Sequence, residues 1–180
     1  MTSKILPMFM LLMIVLLIIV TEYAGSGRGE SDPNGLIGAR LPSLTVRSFS
    51  GQEIDLTGPH RLNQLLIFFS TECEFCLEEL LFWNDHVAAA DSVLELRCIS
   101  VDPAEVTAKF LSDHSLDLPV YCADHTDVRQ QFRITRVPSL FIADTEGIIK
   151  GYVAGTVDKR RLSRSLSMLL HERIELLNDE

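Results

Sequence analysis

The chain has 180 residues, with 16 basic and 25 acidic side chains and a formal net charge of -9 at pH 7. This length suits one domain built around a single core. The acidic balance argues against a nucleic-acid partner, because nucleic acids attract basic surfaces.

The first element in the chain is an apolar run from Ile5 to Val20, preceded by Lys4. Such a run is typical of an export signal or a membrane anchor rather than of a core helix. As a helix it rises only about 24 Å, so it spans a bilayer only if residues 21–24 contribute. We favour an uncleaved signal anchor or transmembrane helix at residues 1–21 over a cleaved signal peptide.

Lys4, which directly precedes this apolar run, indicates that the N terminus stays in the cytoplasm. The domain would then be membrane-anchored and extracytoplasmic, in the periplasm or at the cell exterior, and secreted into that compartment if the signal is cleaved. Disulfides persist there. Residues 22–37 are rich in Gly, Ser and charge, which predicts a flexible linker.

The remaining residues, 38–180, form the expected folded domain. Apolar periodicity and turn residues predict its elements. In chain order these are a hairpin in Leu41–Leu56, a strand at Leu62–Phe69, a helix from about Cys73 to Ala90, a strand at Leu94–Val101, a helix at Pro103–Asp113, a strand at Leu118–Cys122, a helix at Asp127–Phe132, a hairpin of Ser139–Ala143 with Ile148–Val153, and a helix at Asp158–Leu177. Strands that alternate with helices before a closing hairpin predict an α/β sandwich with a mixed sheet.

Two cysteines, Cys73 and Cys76, stand where the strand predicted at Leu62–Phe69 meets its helix. A zinc site needs about four ligands, but there is no second C-x-x-C and the histidines lack paired spacing. Two inert thiols are the other alternative. Redox chemistry fits best, because a helix N terminus stabilises the thiolate that attacks disulfides.

This position makes Cys73 the expected nucleophile, which attacks a disulfide and forms a mixed disulfide with the substrate. Cys76 lies one helical turn deeper and can attack back to release the product. The pair is therefore expected to form a redox disulfide.

Several motifs together resemble the TlpA/ResA branch of thioredoxin-like proteins, within the wider AhpC/TSA-like superfamily. The resemblance covers roughly residues 38–170. The motifs are CEFC after an apolar strand, Glu79 three residues beyond it, SVDPAEVTAKFLSDHSLDLPV, Val137-Pro138 before a strand, and DTEG in a hairpin.

The resemblance implies a thioredoxin-like three-layer sandwich outside the membrane that performs thiol:disulfide exchange without a cofactor. Pro138 would be a cis-proline beside the cysteines, and Val137 would offer backbone hydrogen bonds to a substrate strand. A membrane-embedded thiol donor is the implied redox partner. Glu72 and Phe75 depart from the Trp and Pro of many members, which leaves redox tuning and partner choice open.

Glu79 would be the active-site acid that exchanges a proton with Cys76, one turn away. The alternative is a surface glutamate in the first turns of the helix. Glu72, Glu74 and Glu78 are expected at the surface. Together they disfavour a thiolate at the helix start, so we expect a reducing couple.

Cys98 and Cys122 fall on strands that should be neighbours. A structural disulfide requires matching registers, and a slip of one residue decides the outcome. The alternative, two separate buried thiols, is favoured.

Three other functions remain open. A peroxiredoxin motif has Ser70 in place but Leu66 where its proline belongs. A Sco-like copper chaperone would need C-x-x-x-C and a histidine ligand such as His125 or His114. An oxidase would use the same chemistry in the opposite direction.

We therefore expect a membrane-tethered, extracytoplasmic thiol:disulfide oxidoreductase acting as a reductant of client proteins with disulfides or thiols. Maturation of cytochrome c is one task of the proteins it resembles, and others serve copper-site assembly or the maturation of cofactor enzymes.

Overall fold

A computed structural model of the chain describes residues 35–56, 60–90 and 94–155, without the side chains of residues 87–90. The expected anchor at residues 1–21 and the expected last helix at residues 158–177 lie outside the described residues. Within the described part, no helix is long and apolar enough to cross a membrane.

The described elements follow the predicted order closely, with small shifts at their ends. They are β1 Thr45–Arg47, β2 Glu53–Asp55, β3 Asn63–Phe69, α1 Glu74–Ala90, β4 Leu94–Ser100, α2 Ala104–Asp113, β5 Val120–Cys122, α3 His125–Gln131, β6 Ser139–Ala143 and β7 Ile149–Ala154.

Two helices begin where their capping residues place them. α3 begins at His125 rather than at Asp127, because the Asp124 side chain accepts hydrogen bonds from the backbone N–H groups of Thr126 and Asp127. Pro103 takes the cap position of α2 rather than its first helical position. Both corrections concern which residue caps the helix, and apolar periodicity does not specify the capping residue.

The strands form one seven-stranded sheet in the order β2-β1-β5-β4-β3-β6-β7. β3, β4 and β5 run parallel to one another, whereas β1, β2, β6 and β7 pair antiparallel. The sheet is therefore mixed, as the sequence predicted. β3 lies inside it, between β4 and β6, and is apolar on both faces.

Each face of β3 belongs to a different core, which explains its unbroken apolar run. Leu66 and Phe68 point into one cluster together with Val128 of α3. Ile67 and Phe69 point into the other, where α1 packs and Phe110 of α2 lies at the edge. Helices thus cover both faces.

The first cluster also includes Leu36, which is buried two residues before the expected start of the domain. Burying one such side chain contributes about 1.5–3 kcal/mol.

The topology brings two distant parts of the chain to one edge of the sheet. β3 ends at Phe69 and leads into Cys73, while its antiparallel neighbour β6 begins at Ser139, paired with Phe68. The residue before β6 is Pro138. The end of β3 and the start of β6 therefore hold the cysteines and the Val137-Pro138 pair side by side.

Candidate active site

Cys73 and Cys76 are bonded to each other as a disulfide, with their Cα atoms 5.2 Å apart. Cys73 is half-buried and lies just before the first residue of α1, whereas Cys76 is fully buried inside its first turn. Only one sulfur of the pair, that of Cys73, is thus open to an incoming protein.

The start of α1 offers a hydrogen-bond donor to the Cys73 sulfur. The backbone N–H of Cys76 donates to Cys73 Sγ at 3.2 Å. A donor directed at this atom, together with the positive end of the helix dipole, stabilises a thiolate there once the disulfide is reduced.

A carboxylate from a neighbouring loop holds the segment before Cys73. Thr71 N–H donates to Asp102 Oδ2 at 2.6 Å, and Asp102 lies just beyond the end of β4. Glu72 N–H donates to Ser70 Oγ at 3.3 Å. These bonds fix the turn that presents Cys73. Sequence reasoning missed Asp102, because its contact spans 31 residues of chain.

Val137 and Pro138 lie against the disulfide. Their peptide bond is cis, as the resemblance implies. The Val137 carbonyl oxygen lies 3.6 Å from Cys73 Sγ. Pro138 is buried, and its carbonyl oxygen accepts a hydrogen bond from Gly155 N–H at 2.7 Å, which ties the loop to the end of β7.

Glu79 is completely buried on the sheet-facing side of α1, so the alternative of a surface glutamate is wrong. Its Oε1 accepts a hydrogen bond from Trp83 Nε1 at 2.9 Å. The donor favours the carboxylate form, whereas burial favours the neutral acid. Trp83 is fully buried in the core and also orients Glu79. The i, i+4 spacing of the two residues was the available signal.

Other side chains around the pair are exposed. Glu72, Glu74 and Glu78 lie toward the surface, as expected. Phe75, which stands between the two cysteines, is 61% exposed. The disulfide is therefore bordered on the α1 side by carboxylates and one apolar ring.

The other two cysteines are free. Cys98 pairs in register with Val120, and Cys122 pairs with Ser100, so the two cysteines are offset by two residues along β4 and β5. Burial, and next the nearby Glu79 carboxyl, raises the pKa of the Cys98 thiol. Burial also raises the pKa of Cys122, against a hydrogen bond with Thr107 that lowers it.

Within residues 35–56, 60–90 and 94–155, no three His, Cys, Asp or Glu side chains lie close enough together to hold a metal ion.

Comparisons with known proteins agree with this geometry. The model of the AhpC/TSA family matches residues 37–152. A thiol-disulfide oxidoreductase ResA from Bacillus cereus is 23% identical over 74% of this chain and 78% of its own length. The thioredoxin-like protein YneN of Bacillus subtilis is 21% identical over 86% of this chain and 95% of its own length.

Among solved structures, a candidate thiol:disulfide interchange protein, DsbE from Chlorobium tepidum, superposes with a TM-score of 0.66 at 17% identity. The superposition covers 74% of this chain and 97% of that one. This likeness supports a thioredoxin-like fold.

Proposed function

This chain belongs to the AhpC/TSA family and is a ResA-like thiol:disulfide oxidoreductase, and from that premise we propose that it is a membrane-tethered, extracytoplasmic reductant of client disulfides. One observation carries the exchange chemistry. A half-buried Cys73 is bonded to a fully buried Cys76 at the start of a helix, beside the Val137 carbonyl.

The exchange proceeds in two steps. In the reduced protein, the Cys73 thiolate attacks one sulfur of a client disulfide, a Cys73–client bond forms, and the other client sulfur leaves as a thiolate. Cys76 then loses its proton and attacks Cys73 Sγ. The client leaves with both sulfurs reduced. The Cys73–Cys76 disulfide re-forms, because the two cysteines have donated two electrons to the client.

Glu79 is the base that we assign to the second step. It lies one turn beyond Cys76, and both side chains face the buried side of α1. A carboxylate held by Trp83 at this place can accept the Cys76 proton where water has little access. Val137 is the residue that we assign to client binding, through backbone hydrogen bonds to an extended client segment.

The charges around the pair support one direction of exchange. The carboxylates of Glu72, Glu74 and Glu78 oppose the helix dipole and disfavour a thiolate at Cys73. A less stabilised reduced form makes the couple more reducing. This supports a reductant rather than an oxidase.

The membrane tether and the extracytoplasmic compartment are proposed from the sequence. The apolar run from Ile5 to Val20 supports an anchor, and Lys4 supports a domain outside the cytoplasm. A reductant in that compartment needs a supply of electrons, for which we propose a membrane-embedded thiol donor. Clients of the cytochrome c maturation type fit this scheme.

The test is the reduction potential of the purified protein, equilibrated in thiol/disulfide buffers, alkylated and weighed so that all four cysteines are counted. A two-electron couple of Cys73 and Cys76 well below about -220 mV supports the reductant. A value near about -120 mV would make the protein an oxidase. The absence of a reversible couple would reject disulfide exchange.

Two further assays separate the other functions. Consumption of hydrogen peroxide with a recycling reductant would indicate a peroxidase. A tight one-to-one copper site in the reduced protein, lost on replacement of a histidine, would indicate a copper chaperone.

A further inference from the structure

A groove of about 460 Å³ opens beside Val137, the residue whose carbonyl oxygen lies against Cys73. Ser70 and Asp102 line one side, and Val137 lies at the end next to Cys73. Arg129 and Arg136 also line the groove. The groove therefore extends from Val137, the neighbour of the Cys73 sulfur, toward α3.

Two arginines and one aspartate set the charge of this groove. Arg129 belongs to the last turn of α3, and Arg136 directly precedes Val137; both are exposed. Among the described residues, neither guanidinium forms an ion pair. Asp102 also lines the groove and accepts a hydrogen bond from the Thr71 N–H, so its single negative charge leaves the two arginines in excess by one. Two cations thus face solvent at the groove in a chain whose net charge is -9.

The other side of the disulfide has the opposite charge. Glu72 and Glu74 lie at the start of α1, beside the exposed ring of Phe75. The surface around Cys73 is therefore polarised, negative over α1 and positive over the groove. Such a surface orients a charged partner as well as attracting it.

We propose that this groove receives the client segment next to the target cysteine and selects segments with Asp or Glu side chains there. This rests on the proposed function, since a client sulfur must first reach Cys73. The Val137 carbonyl lies 3.6 Å from Cys73 Sγ, and Arg136 is one residue, about 3.8 Å of backbone, further along. Residues flanking the client cysteine thus lie within reach of the arginines.

Arginine suits this task because its planar guanidinium pairs with a carboxylate through two parallel hydrogen bonds. A carboxylate on the α1 side would instead meet Glu72 and Glu74. An acidic client segment therefore has one favourable placement, over the groove, and an extended basic segment loses that attraction.

The experiment compares reduction of three disulfide-bonded peptides by the purified full-length chain. The peptides are identical except for the two residues on each side of the cysteine, which are Glu, Gln or Lys. The protein variants are Arg129→Gln, Arg136→Gln, the double variant and Arg61→Gln as a control. Arg61 precedes β3, at the end of the strand remote from Cys73.

We expect kcat/KM for the Glu peptide to exceed that for the Lys peptide by about three- to tenfold at low salt, since each exposed ion pair is weak and both arginines contribute. The ratio should fall toward one at high salt and in the double variant, and should persist in Arg61→Gln. The rate with the Gln peptide reports whether each variant is folded and active.

Two results would overturn the inference while leaving the proposed function intact. One is equal reduction of the Glu and Lys peptides by the unmodified chain. The other is a Glu preference that survives in the double variant. Failure to reduce any of the three peptides would instead reject the proposed function, and this inference with it.

Discussion

The molecule contains two pairs of cysteines that differ in geometry and surroundings. Cys73 and Cys76 are bonded at a helix start at the edge of the sheet. Cys98 and Cys122 lie on adjacent strands and remain free thiols. The first pair is three residues apart, whereas the second is offset by two residues across paired strands.

The difference shows that backbone geometry and local charge, rather than the presence of two nearby thiols, decide which pair is redox-active. At the helix start a backbone N–H donates to Cys73 Sγ. In the sheet, burial raises the pKa of the Cys98 thiol and keeps it protonated. We expect the first pair to exchange and the second to stay inert.

The largest expected effect comes from removing the nucleophile. Cys73→Ser should lower the rate of insulin or peptide disulfide reduction by about 10³-fold or more, because the attacking thiolate is lost. Cys122→Ser, which removes a half-buried thiol of the inert pair, should keep most of the activity. A large loss in Cys122→Ser would contradict the contrast between the two pairs.

Cys76→Ser should trap the first intermediate. The attack by Cys73 still occurs, but no second thiol releases the client, so turnover falls by about 10²-fold or more while a mixed disulfide accumulates. Non-reducing electrophoresis and mass spectrometry identify the bonded cysteine. A mixed disulfide in Cys73→Ser instead would reverse the two assignments.

Glu79→Gln should change the pH titration of the reduced pair. Removing a carboxylate one turn from Cys76 removes a charge that disfavours its thiolate, so the alkylation profile should shift by about one pH unit to lower pH. Glu78→Gln is the matched control, since Glu78 is the neighbour that lies toward the surface. An unchanged profile in Glu79→Gln would make this glutamate purely structural.

The smallest expected effect concerns the stability of the oxidised protein in alkali. The pKa of the Cys98 thiol is raised above its ordinary value of 9.0. The buried neutral thiol therefore stabilises the fold fully below pH 9, and this contribution is lost as pH rises, because only the unfolded chain ionises.

In urea titrations, the free energy of unfolding should fall by about 1.4 kcal/mol more in the unmodified chain than in Cys98→Ala between about pH 8 and pH 10. Cys122→Ala should give a smaller difference, since burial raises the pKa of Cys122 against an opposing hydrogen bond. Parallel curves for Cys98→Ala and the unmodified chain would mean that this thiol ionises in the folded protein.

The elements themselves were predictable because their signals are local. The unbroken apolar run of β3 predicted a strand buried on both faces, and both faces are buried. The C-x-x-C motif at the junction of that strand and α1 predicted the disulfide. The resemblance added the cis bond before Pro138.

Features that depend on pairings between distant residues were not predictable. The register of β4 and β5 separates Cys98 from Cys122, and the apolar periodicity of a sequence does not determine the register of its strands. The hydrogen bond from Thr71 to Asp102 arises only when two separate loops meet at one edge of the sheet.

The attachment of the N-terminal hairpin has a consequence for motion. Within the described residues, β1 joins the neighbouring strand β5 through one paired position, Arg47 with Cys122, whereas β3 and β4 share seven. The hairpin should therefore open locally at a lower free energy than the centre of the sheet, with faster amide hydrogen exchange in β1 and β2 than in β3. Each such opening would expose the half-buried Cys122 further, so this thiol, although inert in disulfide exchange, would meet small oxidants more often than the fully buried Cys98.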